Sequence, residues 1–198
     1  MQYELWFRPL VWMDYRLGLL FTVVIPLILL IWAFVQKAEV IQRLLTIYWR
    51  VVSLFAITIY LLIATLPVGF ISGLMARILI PLSLWFWVDL NEEIEDQPRG
   101  ALKVAFTSWR WAISVYSLLG AIAQVPLLQC AVSKNVIDIP LCRAWLEPPL
   151  LFKEYFHANS TAQFLGFLGI VGLVFYVVCL SYFVVVKLGK QGRSAIQQ

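Results

Sequence analysis

Leu17–Val35 reads LGLLFTVVIPLILLIWAFV, 19 residues without a charge. At about 1.5 Å of rise per helical residue, such a run covers the roughly 30 Å hydrocarbon core of a bilayer. It is longer than the apolar segment of about 7–15 residues in a secretory signal, and no small-x-small cleavage site follows it. It therefore reads as a retained transmembrane span. Pro26 inside it fits that reading, because neighbouring helices or water can satisfy the carbonyl that a proline frees in a membrane helix.

The pattern recurs outward from this run. Further apolar stretches cover 47–67, 74–88, 106–128 and 164–186. Of the 198 residues, 62% are hydrophobic and 13% charged. A soluble domain carries about 25% charged and roughly 45–50% apolar residues, so the excess has to face lipid. The expectation is an all-α, polytopic membrane helical bundle of five spans, one transmembrane domain over residues 1–198. The third span, 74–88, is short. It follows the break made by Pro67, Gly69, Ser72 and Gly73, and it contains Arg77 and Pro81. It is read either as a span whose Arg77 reaches the surface or as a re-entrant segment. Trp6, Phe7, Trp12 and Tyr15, with Arg8 and Arg16, read as an interfacial anchor ahead of the first span. Glu147-Pro148-Pro149 reads as a rigid element in a long loop, 129–163.

Charge asymmetry orients the bundle. With five spans, Lys37, Arg43, Arg50, Arg99, Lys103, Arg110, Lys187, Lys190 and Arg193 share one side. Arg8, Arg16, Arg77, Lys134, Arg143 and Lys153 share the other. The positive-inside rule then places the C-terminus in the cytoplasm and the 129–163 loop outside. A re-entrant 74–88 would move only the N-terminal part across. Cys130 and Cys142 both fall in this outside loop, where a disulfide is permitted and would contribute about 3 kcal/mol in the chain-entropy model. Spacing alone leaves open whether they pair or are unrelated. Cys179, mid-span, reads as an apolar filler.

The most polar stretch contains Asp89, Glu92, Glu93 and Asp96, at i, i+3, i+4 and i+7. On a helix they share one face. The face is read as a docking surface for a basic partner or as a solvated helix end. No histidine accompanies it, which argues against a metal site. His157 is the single histidine and has no partners at ligand spacing. Arg77 and Arg110 read as side chains reaching the interface, and Gln124 as an interhelical hydrogen bonder. No Asp or Glu lies well inside the proposed spans, which lowers the expectation of an ion-coupled carrier. Asn159-Ser160-Thr161 fits a glycosylation acceptor. There is no phosphate loop, dinucleotide fingerprint, nucleophile elbow or zinc-protease motif. No catalytic residue, metal or cofactor is expected, nor a nucleic-acid partner.

Several runs carry a family resemblance: Trp6-Phe7-Arg8-Pro9-Leu10-Val11-Trp12, Asp14-Tyr15-Arg16-Leu17, Ile31-Trp32-Ala33-Phe34-Val35-Gln36-Lys37, Ile47-Tyr48-Trp49-Arg50, and the acidic Asp89–Asp96. With these the chain resembles an uncharacterised family of cyanobacterial integral membrane proteins. The resemblance implies a bacterial inner or thylakoid membrane crowded with large complexes, and no catalytic residues to carry over. The expected role is a non-enzymatic accessory or assembly factor. It would contact membrane lipid and a larger membrane protein complex, photosynthetic or respiratory. The alternative is a small transporter or channel.

Overall fold

The structure, a computed structural model, describes residues 7–132 and 139–188. The described residues form seven helices and no strand: α1 (Arg8–Val35), α2 (Glu39–Ile63), α3 (Val68–Trp85), α4 (Val88–Asp96), α5 (Ala101–Val132), α6 (Pro140–Phe156) and α7 (Ala162–Val186). Among them α1, α2, α3, α5 and α7 are long and apolar enough to cross a bilayer. The protein is an integral membrane helical bundle.

α2 is the hub. Its residues Ile41, Leu44, Leu45, Tyr48 and Val52 are buried at three- and four-residue spacing, the periodicity that keeps side chains on one helical face. α3 packs along it on one side and α7 on another. α7 approaches closely because its contact face is glycine. A Cβ on Gly166 would sit 2.3 Å from the Ala64 Cβ. Small residues at such a crossing let two membrane helices gain dispersion contact along their backbones.

The bundle has two ends. At one, Trp87 ahead of α4 packs on Phe183 near the end of α7, ring centroids 5.8 Å apart. At the other, Tyr60 near the end of α2 is hydrogen-bonded to His157 at 3.1 Å, and Arg8 of α1 donates to Glu147 of α6 at 2.7 Å. α3 is a single helix of 18 residues, about 27 Å long, running from the second end to the first. The third apolar run is thus one continuous helix from one end of the bundle to the other, long and apolar enough to cross a bilayer.

Two of the prolines inside the helices, Pro26 and Pro149, are compensated by specific donors. Pro26 has no N–H to bond the Thr22 carbonyl, and Tyr48 Oη donates to that carbonyl at 2.8 Å. The turn before it, Leu20–Val24, widens to π geometry, so the Ile25 N–H reaches the Leu20 carbonyl. The Phe21 carbonyl, released by that shift, accepts from Trp109 Nε1 at 2.9 Å. In α6, Pro149 frees the Trp145 carbonyl, and Tyr15 Oη donates to it at 3.2 Å. Lys37 and Thr65, at φ 55° and 56°, close α1 and α2 in the left-handed conformation usually taken by glycine.

Several boundaries differ from the sequence reading. The helix that carries the first span begins at Arg8, ahead of Leu17, and two of the charges that precede the apolar run, Arg8 and Asp14, are paired with Glu147 and Arg77. Trp12 and Tyr15 are not a free interfacial anchor: they pack on α6, with Trp12 Nε1 3.4 Å from Glu147 Oε2. The segment read as a loop, 129–163, holds the last turn of α5 and all of α6, with Pro148 and Pro149 inside that helix. Trp6, Lys134, Lys190 and Arg193 lie outside the described residues.

Candidate functional site

The largest departure from the sequence reading lies between α1, α3 and α5. Arg77 sits halfway along α3, and its side chain is 5% exposed. Its Nη2 donates to Asp14 Oδ2. The Asp14 side chain is 21% exposed. Tyr116 of α5 completes the group: its hydroxyl lies 2.9 Å from Asp14 Oδ1 and 2.8 Å from the Asp14 backbone carbonyl, and its hydrogen is shared between them. The guanidinium carbon also lies 5.3 Å from the Tyr116 ring centroid and 6.0 Å from that of Phe55, within the range of cation–π attraction. Room for it comes from Gly120. A Cβ there would meet Arg77 Nη1 at 1.8 Å.

Two expectations are overturned here. Arg77 does not reach the surface, and an acidic residue, Asp14, does lie inside a span. A charge in the membrane interior is tolerated when it is paired within the bundle. The cue in the sequence was Asp14 and Arg77 themselves, each interrupting an apolar pattern, but only the fold brings residues 63 positions apart together.

The α3–α5 seam continues in both directions from this pair. Toward the α4 end, Arg110 is 3% exposed, so its side chain is buried rather than reaching outward. Its Nη1 donates to Asn91 Oδ1, and its guanidinium lies 4.1 Å from the Trp85 ring centroid. Trp85 Nε1 in turn donates to Ser114 Oγ at 2.9 Å. Toward the other end, Gln124 is buried against Gly73, and its Oε1 has no partner among the described residues, so the expected interhelical bond is not made by that atom. Arg77 Nε, Arg77 Nη1, Arg110 Nε and Ser117 Oγ are also buried without a partner among the described residues.

The acidic run forms α4 at the first end. Leu90 and Ile94 are buried and anchor the helix, while Glu92, Glu93 and Asp96 are exposed. Asp89 is half-buried beside the anchor face. Among the described residues no ion pair is made by Glu92, Glu93 or Asp96. Lys103 donates to the Glu95 and Gln97 carbonyls, both at 2.6 Å, and so caps the helix end.

At the opposite end Cys130 and Cys142 are joined by a disulfide with a Cα–Cα distance of 5.8 Å, which ties the end of α5 to the start of α6. Thr161 of the Asn159-Ser160-Thr161 triplet caps α7, its hydroxyl accepting from the Phe164 N–H at 3.2 Å. A groove of about 480 Å³ between α1 and α6 is lined by Arg8, Trp12, Arg143, Glu147 and leucines, and one of its cations is already paired with Glu147. Among the described residues no group of three or more His, Cys, Asp or Glu could hold a metal ion.

No curated protein and no solved structure matches the chain. Residues 8–196 match the family described as protein of unknown function, DUF3177, and by that coverage of nearly its whole length the chain belongs to the DUF3177 family.

Proposed function

We propose that this protein is a non-enzymatic accessory or assembly factor that docks a larger complex in a photosynthetic or respiratory membrane. The observation that carries the reading is α4. It is a short helix fixed to the end of the bundle by Leu90, Ile94 and the Lys103 cap, and it presents Glu92, Glu93 and Asp96 outward with no ion pair among the described residues. A rigid acidic face of this kind suits a basic surface on a membrane partner, since complementary charge steers encounter and fixes register. The basic loops on the same side and the disulfide at the opposite end support a cytoplasmic α4 and C-terminus, because disulfides persist away from the reducing cytoplasm. A tagged pull-down from native membranes tests it. A stoichiometric complex, weakened when Asp89, Glu92, Glu93 and Asp96 are changed to Asn and Gln, is the expected result. A partner-free protein overturns the reading.

A second reading, a small carrier, is favoured by one observation, the Asp14–Arg77 pair inside the spans. Ionisable groups in a membrane interior mark substrate and ion pathways as a default expectation. Flux in proteoliposomes that disappears in Arg77→Gln is its test.

A further inference from the structure

A guanidinium has five N–H donors in a planar fork, and a purely structural Arg–carboxylate pair commonly engages both carboxylate oxygens side by side. The Asp14–Arg77 pair does not. Only Nη2 of Arg77 reaches Asp14, through Oδ2, while Oδ1 is taken by the Tyr116 hydroxyl. Nη1 and Nε stay buried and without a partner among the described residues. Ser117 Oγ, one turn from Gly120 on the facing helix, is likewise buried and unpartnered. The guanidinium therefore keeps buried donors that the one carboxylate present does not satisfy.

Charge balance selects what else could bind. Asp14 and Arg77 together are neutral. Adding an anion beside them would leave a net negative charge in a low-dielectric interior, which is strongly disfavoured. Adding an anion together with one proton leaves the sum at zero. The carboxylate is also the member with a way out, since it is more exposed than the guanidinium. The titratable groups facing Asp14 are Arg77 from α3, Tyr116 from α5 and its neighbour Tyr15 in α1, while α2 turns the Phe55 ring toward Arg77.

We propose that Arg77, with the Tyr116 hydroxyl, is a binding site for a small monovalent anion, occupied in this structure by the Asp14 carboxylate, which withdraws on taking up a proton. In the exchange one O–H bond forms on Asp14, and its hydrogen bonds from Arg77 Nη2 and from the Tyr116 hydroxyl break. The incoming anion accepts from the guanidinium and from the Tyr116 hydroxyl. No electron is transferred, and the site stays neutral. This site goes beyond the docking role of α4 and stands whether or not the bundle moves the anion across the membrane.

The test is thermal unfolding of the full chain in nanodiscs of zwitterionic lipid, at constant ionic strength, with chloride, formate or bulky gluconate, at neutral and acidic pH. Chloride, formate or both should raise the midpoint where gluconate does not, and apparent affinity should strengthen about tenfold per pH unit of acidification, the slope of one linked proton. A response to chloride alone identifies a halide site, and one to formate alone a carboxylate site. Asp14→Asn should bind the anion without pH dependence, and Arg77→Gln should not bind it. A wild-type midpoint equally insensitive to all three anions at each pH overturns the proposal. So does an anion response unchanged in Arg77→Gln, or still pH-dependent in Asp14→Asn. The wild-type and Asp14→Asn measurements decide the matter even if Arg77→Gln fails to fold.

Discussion

The carboxylates of α4 and the carboxylate of Asp14 are chemically alike and sit in opposite surroundings. Glu92, Glu93 and Asp96 point outward from one end of the bundle. Asp14 lies between three helices with Arg77 and Tyr116 as its partners. Water can solvate the first group whatever the fold does, so its members contribute little to stability and are free to meet another molecule. The second group has lost most of its water, so its members depend on one another. The same side chain is a surface feature in one place and part of the interior architecture in the other.

The sharpest way to break this comparison is to remove one member of the buried pair. Arg77→Leu leaves the Asp14 charge without its cation and should destabilise the bundle by about 3–5 kcal/mol. Asp14→Leu combined with Arg77→Leu should recover a large part of that loss, because no uncompensated charge remains. Reversible unfolding in mixed detergent micelles measures both, and a double variant no better than the single one would show that the two residues are not coupled. Next in size is Gly120→Ala. The new methyl would collide with Arg77 Nη1 and, as overpacking does, should cost about 1–3 kcal/mol, read in the same assay. Tyr48→Phe should cost about 1–2 kcal/mol, because the Thr22 carbonyl that Pro26 leaves open loses its buried donor. Replacing Pro26 with Ala in the same chain should soften that loss.

Two smaller effects sharpen the contrast from the exposed side. Thr65→Gly should stabilise by up to about 1 kcal/mol, since it relieves a left-handed conformation in a β-branched residue. Neutralising Glu92, Glu93 and Asp96 together should change stability by less than about 0.5 kcal/mol, the range of ordinary surface substitutions, while lowering recovery of the membrane partner. A large loss of stability from these three would mean that α4 belongs to the interior architecture after all.

Much of the architecture was legible in the chain. Four of the five apolar runs announced helices in lipid because each alone is about as long as the hydrocarbon core is thick, and no tertiary information is needed for that inference. The helix carrying Asp89, Glu92, Glu93 and Asp96 was legible for a similar reason, since local spacing decides which side chains share a face. The beginning of α1 was not. Arg8 and Asp14 look like the polar margin of a span until Glu147 and Arg77 are known to meet them. α6 was missed because consecutive prolines at 148 and 149 argue locally against a helix. The helix stands in the context of Tyr15, 134 residues away from Pro149, which supplies a donor for one freed carbonyl.

By itself the sequence determined the class of the protein, its apolar spans and the acidic face, because hydrophobic length and helical period are local properties. The tertiary structure alone decided that 74–88 crosses the bundle, that Arg77 is buried rather than at the surface, and that Asp14 is its counter-ion. Those outcomes depend on which helices become neighbours. A charge between membrane helices is tolerated only when packing brings its partner within reach, and that partner is far away in the chain.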